Sequence, residues 1–432
     1  MLYESASGDL AAWVLAALLV LSCVFLGSRV TRTPLGLALF VFAVFIRVAL
    51  SALSSYNVIL PPDLDRLAFH NQASEMALSE IGLSDIVVGH QVFTIVLALV
   101  YHNFGTSLFL GCIVSLIPFV MSLVLLFKCA RLLDIAKYEV SLLVFFGLSP
   151  GMLLFANFTY REPLQILFMM AATYQGLIYR RTASVRSLLL CAGAFFAFAL
   201  LHAKFFLVAP LLFLIVFFFP GVRTAPGANS TRGRRLTGSF IAGAAIATLS
   251  VFAIFTTMGD NYLVQTLMGG QVSDYLMQMK DMGDVLSART ALPFRLESTN
   301  PLEIVVKTPL ILFQYMFAPL APWAVSEPQD LVALVDTVLR TVMLVYALRF
   351  SRRAPRTQRG DLVVLLLIYF VFSAIAAMGT AAVGTAIRHQ IKVSWILVLL
   401  GRPALLRRRR EAAVRSASGS LRTMTGDGPF VS

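Results

Sequence analysis

The chain has 432 residues, 58% of them hydrophobic and only 13% charged, with 34 Phe and a formal net charge of +13. That composition excludes a soluble globular domain, because it leaves too little polar surface to cover a core. Apolar runs of roughly 17–20 residues, each long enough to cross a bilayer core, recur from end to end. The positive charge does not point to nucleic acid, because the Lys and Arg residues collect in short loops between the apolar runs, the bias that orients membrane proteins.

The first apolar run, 10–28, has no cleavable signal pattern and is expected to stay as a spanning helix ending at Arg29 and Arg32. The second, 35–53, carries Arg47 inside it, facing protein or a cavity and paired with an acid the sequence does not identify. A polar island follows, Pro61 to Glu75, PPDLDRLAFHNQASE. Pro61-Pro62 hold the chain extended, Asp63 and Asp65 follow two apart, and Phe69, His70, Ala73 and Glu75 have the spacing of a short amphipathic helix. A carboxylate at the mouth of a membrane cavity serves as general base on a sugar hydroxyl or helps hold a divalent cation beside a phosphate. A solvated loop between two helices would look the same. The segment 91–103 is apolar but short, and fits a helix lying in or dipping into the interface.

Spans three to five are expected near 107–127, 139–158 and 163–179, with Arg161-Glu162 either a mutual ion pair between the last two or part of a phosphate site. The apolar run 188–220 is too long for one helix and splits at His202-Ala203-Lys204, where the polar residues either belong to a site or, for Lys204, snorkel to the interface. The Arg-rich, Gly/Pro/Ser-rich 221–236 reads as a cytoplasmic linker. An eighth span, 238–258, leads to a long outer region, 259–329, that contains the apolar Leu302–Pro319. Three more spans follow near 330–348, 361–378 and 390–406. Asp336 and Arg340, four apart, form an ion pair on one helix. Arg388, with His389 and Lys392, opens the last span from outside, where a guanidinium can grip a lipid phosphate with two hydrogen bonds.

The expected fold is therefore all-α integral membrane. A single polytopic domain over 1–406 has about eleven transmembrane helices, plus interfacial helices in the first and last large outer loops, 54–106 and 259–329. A basic, disordered cytoplasmic tail covers 407–432. With the N-terminus outside, most Lys and Arg fall inside, while most Asp and Glu and all five His fall at or near the outer face. Titratable chemistry on one side points to an outward-facing site. The four cysteines, Cys23, Cys112, Cys129 and Cys191, have no ligand spacing and read as small core residues. There is no GxxxxGK[ST] or GxGxxG motif, which counts against ATP-driven transport.

Asp63-Leu64-Asp65 followed by Phe69-His70 and Ala73 resembles the first outer loop of polytopic GT-C glycosyltransferases, which use polyprenyl-phosphate-linked sugars. The segment 89–105, ending in Phe104-Gly105, resembles the family's second interfacial helix, and Ser149-Pro150 and Arg161-Glu162 resemble outer-end features of its next hairpin. The likeness covers roughly 35–220, with one departure: two spans rather than one precede the acidic loop. It implies a hexosyl- or pentosyltransferase of cell-envelope polysaccharide biosynthesis in a bacterial cytoplasmic (inner) membrane. That enzyme would pass a sugar from a polyprenyl-phosphate donor to a glycan, lipid or protein acceptor on the outer face. Asp65 matches the base, with Asp63 the alternate; Arg161, Glu162, His202, Lys204 and Arg388 are the candidates for binding substrate and phosphate, and His70 and Glu75 are further candidates. The Asp63/Asp65 pair permits Mg²⁺ or Mn²⁺ without requiring it. The competing classes are a polymerase or ligase of lipid-linked oligosaccharides and a transporter or flippase of lipid-linked sugars.

Overall fold

The computed structural model describes residues 5–58, 64–79, 90–155, 157–202, 205–218, 301–317, 328–354, 356–378, 380 and 383–401. Among them every regular element is helical. The expectations placed on Asp63, Lys204, the linker 221–236, the span at 238–258, most of the loop 259–329 and the tail 407–432 lie outside the described residues.

Helix α1 (Ala6–Val30) is capped by Ser5, whose Oγ accepts from the amide of Gly8, and it carries Asp9 in its first turn. Thr33 caps α2 (Pro34–Ser55) in the same way, with Pro34 at the start where its missing N–H costs nothing. The polar island becomes α3 (Leu64–Leu78), and 91–103 becomes α4 (His90–Phe104). The two pack against each other. On α3 the buried residues Phe69, Ala73 and Ala77 recur every fourth position with His70 and Ser74 beside them, while Asp65, Asn71 and Glu75 stay exposed.

Helix α5 (Leu108–Leu132) lies against α1, α2 and the central α8 (Glu162–Thr182), which also packs on α9 (Val185–Leu200) and α10 (Phe205–Phe218). The apolar run 188–220 thus breaks at Leu201–His202. The C-terminal part holds α11 (Pro301–Phe317), α12 (Pro328–Arg353), α13 (Arg356–Met378) and α14 (383–401).

Five of these helices are long and apolar enough to cross a membrane: α1, α2, α5, α12 over Asp330–Arg353 and α13 over Gln358–Met378. Shorter apolar helices lie at Val92–Phe104, Val185–Leu200 and Val208–Phe218. The α8 segment, expected as a span, is less apolar because Gln165, Thr173 and Gln175 interrupt it; Gln165 and Thr173 are buried against neighbouring helices.

The expected single span over 139–158 is corrected. Helix α6 (Glu139–Leu142) runs into a π-turn, Leu143–Gly147, and then gives way at Leu148 to the short α7 (Pro150–Phe155). Such a break frees backbone groups that must be satisfied inside protein. Arg47 donates to the carbonyls of Ala43, at 2.8 Å, and of Gly147, and its guanidinium sits 3.9 Å from the Phe119 ring centroid. Ser51 donates to the carbonyl of Asn157, and the Gly151 amide donates to Asp336 Oδ1 at 3.1 Å. The acid expected opposite Arg47 is therefore replaced by backbone carbonyls and a ring. Asp336 does pair with Arg340, at 2.7 Å. All four cysteines are free and buried.

Candidate active site

Three segments remote in sequence meet at one ionic centre: the start of α3, the start of α8 and the first turns of α14. Arg388 on α14 stands between two carboxylates. Its Nη1 donates to Asp65 Oδ2, while its Nε and Nη2 both donate to Glu162 Oε1, at 3.1 and 2.9 Å. The two carboxylates differ in setting, since the Asp65 side chain is 60% exposed and that of Glu162 2%. Tyr160 forms a floor, its ring centroid 4.8 Å from the Arg388 guanidinium carbon.

Each partner is held from behind. Arg66, next to Asp65, is buried and ties the start of α3 to the end of α2, donating to Ser54 Oγ at 2.6 Å and Ser55 Oγ at 2.7 Å, with its guanidinium over Phe158. Glu162 opens α8 with Pro163 behind it, where an acid complements the helix N-terminus. Further along, the backbone carbonyl of Lys392 accepts from Trp395 Nε1 at 3.0 Å.

Arg161 caps α8, 5.7 Å from the centroid of Phe69, which stacks edge-on against Phe93. Arg161 and Glu162, expected either as a mutual ion pair or as part of a phosphate site, attract each other electrostatically, but the hydrogen bonds of Glu162 go to Arg388. The other Glu162 oxygen, Oε2, and Arg161 Nε are buried without a hydrogen-bond partner. Arg388, Lys392 and Arg161 all bear electrostatically on Glu162. Lys392, one turn beyond Arg388, meets His389 Nδ1 at 3.0 Å and lies over the Phe205 ring. The His389 ring stands 6.2 Å from that of His202. Among the described residues, Arg388, Arg161 and Lys392 thus stand with the carboxylates of Asp65 and Glu162, and fixed positive charge of this kind attracts an anion.

Asp65, Glu162, Arg388, Arg161 and His202 are therefore brought to one end of the bundle, while Asp63 and Lys204 lie outside the described residues. Two further candidates fall elsewhere. His70 is buried, and its Nδ1 meets the Tyr101 hydroxyl at 2.9 Å, so it joins α3 to α4. Burial, and then the charge of Arg66, lower its pKa to about 4, so the ring is neutral at pH 7. Glu75 is exposed on α3, three turns from Asp65. Arg66, Tyr160, His389 and Lys392 complete the site and were not among the candidates. The signal for the last two was present, as polar residues one and four positions after Arg388 on an otherwise apolar helix.

Among the described residues no group of three His, Cys, Asp or Glu side chains could hold a metal ion. Asp65 and Glu162 converge on a guanidinium, and the expected Asp63/Asp65 pair lies partly outside the described residues.

No protein-family model matches the chain, nor does any curated protein. Among solved structures it is similar to the crystal structure of ArnT from Cupriavidus metallidurans in the apo state, with a TM-score of 0.48 and 11% identity over 90% of this chain. It is also similar to the same protein bound to undecaprenyl phosphate, with a TM-score of 0.44 and 13% identity. The chain spans 66% of the ArnT chain in both cases.

Proposed function

We propose that this chain is a membrane glycosyltransferase of the GT-C type. It moves a hexose or pentose from a polyprenyl-phosphate donor to an acceptor hydroxyl on the outer face of a bacterial cytoplasmic membrane. About eleven spans carry the site, with the N-terminus outside. The observation that carries this reading is the exposed Asp65 carboxylate set on a cluster of Arg388, Arg161 and Lys392. Transfer needs a base for the acceptor and fixed positive charge for the departing phosphate, and an exposed carboxylate beside guanidinium groups supports that reading.

In the reaction, the acceptor oxygen bonds to the anomeric carbon as the bond from that carbon to the phosphate oxygen breaks. The acceptor's proton passes to Asp65. The leaving polyprenyl phosphate keeps the bonding electron pair, and Arg388 and Arg161 take up its charge. A phosphate leaves without a proton, so a second carboxylate as acid is not required. An apolar groove of about 810 Å³, lined by α1, α4 and α5, reaches Leu164, two residues past Glu162, and suits an isoprenoid chain. One-sided polar chemistry also fits an enzyme better than a transporter, which gathers its polar groups at mid-membrane.

The test is sugar transfer by the purified protein in lipid, supplied with a panel of polyprenyl-phosphate sugars, for wild type and Asp65→Asn. Transfer by wild type that falls about 10²–10⁴-fold in the variant, with donor binding retained, is expected of a general base. Equal rates would remove Asp65 from that role. Movement of a lipid-linked sugar across the bilayer with no transfer would replace the enzyme by a flippase.

A further inference from the structure

The two carboxylates on Arg388 are unequal in a way the transfer reaction alone does not require. Glu162 is almost fully buried and takes two of the guanidinium's N–H groups on one oxygen. Asp65 is mostly exposed and takes one. An exposed ion pair is held by little net energy, because water competes for both partners, whereas separating a buried pair strands charge in a low dielectric. Of the two contacts, the one to Asp65 is therefore the one that an incoming anion can displace. Arg388 stays anchored on Glu162 while its Nη1 changes partner.

Asp65 has an opposite constraint. The Arg388 guanidinium occupies Asp65 Oδ2, so in the resting arrangement that oxygen is not open to an acceptor hydroxyl.

We propose that Arg388 is a latch on Asp65 which the donor's phosphate opens. The phosphate takes Nη1 of Arg388 from Asp65, Glu162 acts as the positioning residue that holds the guanidinium in place through the exchange, and Asp65 is freed for the acceptor only once donor is bound. This inference rests on the glycosyltransferase reading of the site. It makes donor binding precede productive acceptor binding and protects against idle chemistry at an unloaded site. It also assigns the buried, unbonded Glu162 Oε2 a use, as spare acceptor capacity that keeps Arg388 from leaving with the phosphate.

The experiment measures binding of undecaprenyl phosphate, without sugar, to the full-length protein in nanodiscs. If Asp65 competes with the phosphate for Arg388, Asp65→Asn binds the probe more tightly, by about twofold to fivefold, the range of an exposed ion pair. The gain disappears in an Arg388→Gln background. Glu162→Gln weakens binding although it removes a negative charge, because the released guanidinium settles on Asp65; Glu162→Asp restores part of the loss.

Unchanged or weaker binding in Asp65→Asn overturns the latch. So does a gain that persists with Arg388→Gln, which would be simple charge repulsion, or tighter binding in Glu162→Gln. Asp65 is exposed, so its variant tests the exchange even if Glu162→Gln does not fold. Failure of the wild type to bind undecaprenyl phosphate at all would instead overturn the donor assignment.

Discussion

His70 shows how one polar residue can resemble a catalytic group and serve packing. It lies five positions after Asp65, but its ring is buried against Tyr101, where its Nδ1 meets the phenol oxygen and its Nε2 has no partner. With a folded pKa of about 4 against 6.5 unfolded, the unfolded chain binds the proton more readily. The neutral ring's contribution to stability is complete above pH 6.5 and is lost as pH falls toward 4. Thermal unfolding in detergent should therefore show the wild-type Tm falling over this window more steeply than that of His70→Gln. Parallel profiles would show that His70 is not protonated on unfolding. From sequence the residue could not be separated from Asp65, because His70 and Asp65 share one short polar helix, and only the position of Tyr101 decides which way the ring faces.

At the scale of elements, the contact between α1 and the turn from α4 to α5 fixes where α4 stands. The Ser5 amide and hydroxyl both donate to the Thr106 carbonyl, Ser107 donates to Asp9 Oδ1 at 2.5 Å, and Gly105 turns the chain with φ +91°. A Cβ at Gly105 would lie 2.5 Å from the hydroxyl oxygens of both Ser5 and Ser7. Gly105→Val is expected to cost about 1–3 kcal/mol from the backbone alone, and more from that clash. A Tm lowered by several degrees should follow, and an unchanged Tm would show that α1 does not dock there.

The helices themselves were legible wherever an apolar run of ordinary length ended in a cap, as at Ser5, Thr33 and Ser107. The π-turn at Leu143–Gly147 was not. Its residues are as apolar as a span, and the break depends on side chains from elsewhere, Arg47 and Asp336, accepting or supplying the freed backbone bonds.

For the whole molecule, the proposed chemistry needs residues 65, 162 and 388 to act at one place. The sequence identified each as a charge at the edge of an apolar segment, where burial without purpose is costly. It offered no means of joining them: Asp65 and Arg388 stand 323 positions apart, and Glu162 bonds Arg388 rather than its neighbour Arg161. Lys392 and His389 enter the site for the same reason, carried in by the helix that brings Arg388.

The most direct test of that convergence is the rate of sugar transfer, from whichever polyprenyl-phosphate donor the wild type accepts, by Asp65→Asn, Arg388→Gln and the double variant. Residues serving one step as a unit are strongly non-additive. The double variant should therefore lose little more than the worse of the two single ones. Losses that multiply, or a wild-type rate in either single variant, would contradict a shared site.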